Sequence, residues 1–196
     1  DGDLVIVDIA GYGVRYVHNR KTIWRARAIV GQPFRQTPVF RAQIENVVFN
    51  PTWTVPPGIL AKDVLGQMQR GENVLARKKL KVFDRDGQPV DPASVQWSAY
   101  TARSFPYVLR QDSGDENSLG RVKINFPNPH LVYLHDTPTR ALFERSQRTF
   151  SSGCSRVDRP LELVELLLAD PLKWDAAAIR AAVEAGTTRT VTLKRK

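Results

Sequence analysis

The sequence predicts an α+β fold that is mainly β, and three observations carry that reading. The first third alternates apolar and polar residues and is rich in β-branched side chains, the pattern of strands with one buried face. The middle changes texture, with paired prolines and a stretch of helical period. The last quarter holds two segments with helix start and stop signals, followed by one more alternating run. A length of 196 residues suits a single domain, 1–196, carrying an insertion. With 42% hydrophobic and 25% charged residues the chain can bury a core without disulfides.

In order, "DLVIVDI" (3–9), "GVRYVHN" (13–19) and "KTIWRARAIVG" (21–31) are expected as an antiparallel meander, separated by the turn signals "AGYG" and "NRK". "IENVVFNP" (44–51) is a further strand closed by Asn50-Pro51. In "TWTVPPGILAKDVLGQMQRG" (52–71), Ile59, Leu60, Val64, Leu65 and Met68 fit a helix of about three turns, with Pro57 near its start and Gly71 past its end. Asp86-Gly87 marks a turn in "KLKVFDRDGQPVDPASVQW". The stretch 56–104 is expected as an inserted helix and hairpin lying over one face of the β scaffold. Strands follow at 121–126 and 130–136, the second with Tyr133 and His135 on one face. Helices are expected over about 159–169, with Pro160 in the first turn, and about 176–185, with Asp175 as N-cap and Gly186 beyond the end. The tail 187–196 returns as a strand.

A net charge of +9 favours polyanionic partners, either nucleic acid or an acidic polymer. The basic residues are scattered, with short clusters only at "ARKKLK" (76–81) and "KRK" (194–196), so no specific nucleic-acid recognition is expected. The most apolar run, "LELVELLLA" (161–169), is broken by Glu162 and Glu165 and falls short of the roughly 18 residues of a membrane span. No signal-type segment is read at the N-terminus. His18, His130, His135 and Cys154 offer no zinc spacing, no phosphate-binding loop is found, and no cofactor or metal is expected.

The single cysteine stands in "SSGCSR", behind a small-residue turn. Such a thiol is an inert core group, a reactive nucleophile, or one half of an intermolecular bridge. If it reacts, a thiolate is needed, and a free Cys has a pKa of about 8.5. An imidazole can take the proton or form an ion pair with the thiolate, and His135 ends a strand 19 residues ahead of Cys154. Gly153 allows close backbone approach, so the N–H groups of Gly153 and Cys154 are candidate oxyanion donors. Arg156 offers a fork for a substrate carboxylate.

These residues resemble the L,D-transpeptidase family with a YkuD-like catalytic domain. "YLHDT…SSGCSRV" is similar to its signature, a His, a loop, then Ser-x-Gly-Cys-x-Arg. "VVFNPTWTVPPGI" (47–59) and "SLGRVKINFPNPHLVYLHDT" (118–137) resemble its large periplasmic branch. The resemblance implies a β-sandwich catalytic domain in which 56–104 is a substrate-capping subdomain. It implies an acyltransferase of peptidoglycan biosynthesis in the periplasm. Cys154 would attack a tetrapeptide stem after its third residue, release D-alanine, and pass the acyl group to the side-chain amine of an acceptor stem. His135 would be the base, with Tyr133, Ser152 and Arg156 at the substrate. Many members carry His where this chain has Ser152. A carboxypeptidase or protein-attaching enzyme on the same fold, and a non-catalytic basic wall-binding module, are the competing readings.

Overall fold

The computed structural model describes residues 2–194, so Arg195 and Lys196 of the basic tail cluster lie outside the described residues. In chain order the strands are β1 (Leu4–Asp8), β2 (Gly13–His18), β3 (Lys21–Gly31), β4 (Asn46–Phe49), β5 (Trp53–Thr54), β6 (Lys81–Phe83) and β7 (Pro89–Val90). They continue with β8 (Val108–Gln111), β9 (Val122–Asn125), β10 (Leu134–His135), β11 (Thr149–Ser151), β12 (Ser155–Val157) and β13 (Arg189–Thr192). The helices are α1 (Pro57–Ile59), α2 (Leu65–Gln69), α3 (Val74–Arg77), α4 (Pro160–Leu168) and α5 (Ala176–Glu184).

The opening meander forms because its turns suit the twist of its strands. Between paired His18 and Lys21, Asn19 and Arg20 both take positive φ, 47° and 65°, as a two-residue hairpin turn requires. β3 is 11 residues long and changes partners along its length. Its first part pairs with β2, and its end pairs antiparallel with β12 and parallel with β11. The sheet then runs β12-β10-β9-β4-β13, with β10 parallel to β12 and antiparallel to β9.

Alternation divides the two faces of this sheet. Val47 and Phe49, Val122 and Ile124, and Leu134 and Val157 point into one core, where they meet Leu163, Val164 and Leu167 of α4 and Ile179 of α5. Trp174 stacks on Phe49 with ring centroids 5.5 Å apart. α5 starts where Asp175 accepts a hydrogen bond from the Ala178 N–H at 2.8 Å. It stops at Gly186, whose φ is +69°.

A second sheet, β5-β8-β6-β7, has its own core, built from residues such as Trp53, Val64, Val82, Phe105, Leu109 and Leu119. This unit begins at Trp53 and its core reaches Leu119, wider on both sides than the texture change at 56–104 suggests. The helical run over 57–69 holds a π segment at Leu60–Val64 between α1 and α2.

One expected element is much shorter than its alternation implies. The strand placed at 130–136 is paired only at Leu134–His135. Pro127 and Pro129 lack N–H donors. Asn128 instead organises a loop, donating to the Phe126 and Val132 carbonyls and accepting from the His130 and Val132 N–H groups. Leu131 takes a positive φ of 55° within it.

Candidate active site

The site lies on the face of the large sheet opposite the helices. His135 pairs with Lys123 on one side and with Arg156 on the other. Paired residues share a face, so one row of cationic or basic side chains crosses β9, β10 and β12. Val122, Ile124, Leu134 and Val157, which alternate with the members of this row, are all in the core. Continuing the β10–β12 register by one residue brings Cys154 alongside Tyr133. The Ser155 N–H donates to the Tyr133 carbonyl at 3.2 Å, which fixes that alignment.

Tyr133 is the hub. Its ring meets the His135 ring edge-on at 5.7 Å between centroids. The Lys123 ammonium sits 4.2 Å from the centre of the same ring. Its side chain packs against the second core, which includes Trp53, and its phenol interacts electrostatically with Cys154. Burial is the main reason the Tyr133 phenol is held well above its usual range, with the nearby Cys154 adding to it.

The electrostatics make both candidate chemical groups neutral at rest. His135 is 5% exposed, and burial together with Arg156 and Lys123 lowers its pKa to about 3. Its Nδ1 lies 2.5 Å from the Asp136 carbonyl oxygen. That acceptor fixes the tautomer with the proton on Nδ1 and leaves Nε2 as a base. Burial also raises the Cys154 thiol, although Tyr133, Lys123 and Arg156 each pull it down. The ion-pair alternative weighed for a Cys–His couple therefore does not describe the resting site. Among the described residues no hydrogen bond joins Cys154 to His135, and Tyr133 touches both.

The backbone around Cys154 is tightly specified. Gly153 has φ +119°, a conformation that L side chains rarely adopt. Its carbonyl accepts from Thr37 Oγ1 at 2.8 Å, and its N–H donates to Ser151 Oγ at 3.2 Å. Of the two candidate oxyanion donors, the Gly153 amide is thus engaged within the loop. Ser152 is exposed, and its hydroxyl accepts from Arg35 at 2.9 Å. Arg35 also makes a two-point ion pair with Asp63 of the π segment, at 2.6 and 2.9 Å. One guanidinium therefore touches the cysteine loop and the second unit together.

Asp136 supports the site from behind. Its carboxylate accepts from the Arg121 N–H at 2.9 Å and from Arg140 at 2.8 Å. Arg140 passes on to Asp158, which also pairs with Arg27. His18 is remote, bonded to Asp3, and His130 lies against Phe40.

Sequence reasoning missed Lys123 and Arg35. In "RVKIN" a lysine between two apolar residues reads as an outward-facing strand position. Only its pairing with His135 reveals what that face looks onto. Arg35 lies in an irregular stretch with no periodic signal.

The cysteine loop, the carbonyl-held His135 and the flanking basic row thus lie together on one face of a mixed sheet. Residues 2–191 match the family model YkuD, described as the L,D-transpeptidase catalytic domain, and the chain belongs to that family. It is also similar to a Haemophilus influenzae protein named "Putative L,D-transpeptidase", with 39% identity over 166 residues. That match covers 85% of this chain and 34% of the relative, so the chain spans about a third of the length of the curated protein it matches. Among the described residues no helix is long and apolar enough to cross a membrane.

Proposed function

We propose that this domain is a peptidoglycan L,D-transpeptidase with Cys154 as nucleophile and His135 as general base. The observation that carries this reading is the tautomer lock. With Nδ1–H given to the Asp136 carbonyl, Nε2 is the basic nitrogen, and low basicity is tolerable because the proton moves only as the sulfur attacks. The sulfur bonds to the carbonyl carbon after the third stem residue, and the thiol proton passes to His135. The C–N bond then breaks, the proton goes to the departing amine, and D-alanine leaves. An acceptor amine attacks the thioester, gives its proton to His135, and releases the product as the thiol is restored. The Cys154 N–H stabilises the oxyanion, joined by Gly153 once its amide turns from Ser151. Tyr133, Ser152 and Arg156 contact the stem.

The second unit, 56–104 with its flanking strands, is the substrate cap on this reading. Trp53 reaching Tyr133 and Asp63 reaching Arg35 support it. A periplasmic setting and a carboxylate-rich wall polymer as partner suit the charge of +9.

The test is intact mass after mixing with a tetrapeptide stem alone. The wild type is expected to gain the stem minus D-alanine, and Cys154→Ala to gain nothing. Adding a second stem is expected to give dimers. An adduct that only water discharges would identify a carboxypeptidase. The absence of adduct and of free D-alanine would favour a binding module.

A further inference from the structure

With no hydrogen bond between Cys154 and His135, their relative placement is inherited from the ladder between β12 and β10. That ladder is short. β10 is two residues long and meets each neighbour over two pairs, at Leu134 and His135. Just past these pairs a chain of charged side chains crosses the same strands. Arg27 of β3 donates from Nε at 3.0 Å to Asp158, the residue after β12, and a second nitrogen of Arg27 lies 2.9 Å from the same carboxylate. Arg140 also donates to Asp158, at 2.9 Å, and its other terminal nitrogen donates at 2.8 Å to Asp136, the residue after β10. Asp136 in turn accepts from the N–H of Arg121, the residue before β9, at 2.9 Å. The Asp136 and Asp158 side chains are 15% and 11% exposed, and Arg27 and Arg140 both lie over the buried ring of Phe143. An isolated surface ion pair contributes little, but here one fork holds two largely desolvated carboxylates. Among the described residues Arg140 is the one cation paired with Asp136, so its loss leaves that charge uncompensated.

We infer that Arg140 is a positioning residue, whose fork ties the end of β10 to the end of β12 and so keeps the Asp136 carbonyl on His135 Nδ1 and Nε2 at a fixed offset from the Cys154 sulfur. Its bearing on the rate rests on the transpeptidase reading given above. The Arg140 guanidinium bonds to the two carboxylates and to neither reacting group, so it acts through one peptide. The Asp136 N–H is given to the Val122 carbonyl at 2.9 Å, the Asp136 carbonyl receives the imidazole N–H, and the Asp136 side chain is held by Arg140. Loss of the fork frees the third of these points and unties Asp136 from Asp158. β10 can then shift against β12, and a displacement on the order of 1 Å at the reacting atoms costs about 100-fold in rate. A guanidinium suits this place because its planar donors stand at a fixed spacing, one for each carboxylate. A lysine there offers a single compact charge that can lie between both.

The experiment compares the wild type with Arg140→Met and Arg140→Lys by two readouts. Heteronuclear NMR of the His135 ring, without substrate, reports which nitrogen carries the proton. The wild type is expected to show the Nδ1-protonated form alone, and Arg140→Met a mixture of both forms. Acylation of Cys154 at saturating tetrapeptide stem is expected to slow by about 10- to 100-fold in Arg140→Met, with the half-saturating concentration within about threefold of wild type. Arg140→Lys is expected to recover the single tautomer and a rate within about fivefold of wild type. A wild-type rate in folded Arg140→Met would overturn the inference. So would a slower rate with the wild-type tautomer retained, which is what a merely loosened fold gives. Should Arg140→Met not fold, Asp158→Asn keeps the side-chain volume, removes the far anchor and carries the same two readouts. A wild type that the stem does not acylate would defeat the transpeptidase reading, while the tautomer comparison still decides whether the fork holds His135.

Discussion

The imidazole of His135 is held by the main-chain carbonyl of Asp136, 2.5 Å from Nδ1, while the carboxylate of the same aspartate faces away toward Arg121 and Arg140. Asp136 thus orients the imidazole through its peptide group and anchors that peptide through its side chain. An acid next to a histidine is easily taken for its partner, but here the side chain serves the scaffold.

Burying this imidazole in neutral form has a pH signature. Its pKa is about 3 in the fold against an ordinary 6.5, so between those values the unfolded chain takes a proton that the folded chain refuses. Stability is therefore lost as pH falls below 6.5, at up to about 1.4 kcal/mol per unit from this group. Urea unfolding at pH 6.5 and 4.5 is expected to differ by about 2–3 kcal/mol more in wild type than in His135→Gln. Equal losses would place His135 in a wetter environment than the sheet implies.

The thiol is pushed upward by burial, so alkylation of the free protein by iodoacetamide is expected to rise with pH through and above the ordinary thiol range. Tyr133→Phe removes a hydroxyl that favours the thiolate and is expected to move the profile higher still. A half-maximal rate near neutrality would contradict this resting state. Because a slow thiol is expected here even in an active enzyme, labelling rate does not separate catalyst from binding module, and the acylation assay must do so.

Arg35 joins Asp63 to Ser152, and its side chain is 15% exposed. Arg35→Met is expected to destabilise the fold by about 1–2 kcal/mol, after allowing for the partial exposure of Asp63. It is also expected to slow acylation of Cys154 by about tenfold, since the stem would meet a loosened cap and a displaced Ser152. Unfolding midpoints and burst rates measured on the same preparation test both effects. An unchanged acylation rate would leave the link architectural.

Gly120 has φ +62°, and a Cβ there would overlap the Asp136 carboxylate. Gly120→Ala is expected to cost about 2–3 kcal/mol, strain plus displacement of Asp136. Gly71, with φ +78° and open space around it, is the internal control, and Gly71→Ala is expected to cost about 1 kcal/mol. Denaturation of the two variants side by side isolates the contact.

Much of the fold was legible because local rules and tertiary packing agree. The meander, α4, α5 and the Asp175 cap follow from alternation, a proline and a capping aspartate. The short β10 was over-read because Val132 and Leu134 alternate correctly while Asn128 captures the backbone between two prolines. The thiol and imidazole were visible as residue types at a suggestive spacing. Lys123 was not, since it lies 12 residues from His135 in sequence and meets it only across a ladder whose register no local pattern encodes. The spread of the second core from Trp53 to Leu119 was hidden for the same reason, as its edges are strands paired over long distances.

Lys123, His135 and Arg156 occupy adjoining ladder positions, yet the chain leaves the sheet between them and before them. The second unit departs between β4 and β9, and the loop over 136–153 departs between β10 and β12. The spacing of the three side chains is set by the ladder itself, whereas the 136–153 segment is tied back to the sheet by β11 on β3. A chimera that swaps the excursion at 53–119 would keep the ladder positions of all three residues while losing the contacts that Trp53 and Asp63 bring to the site.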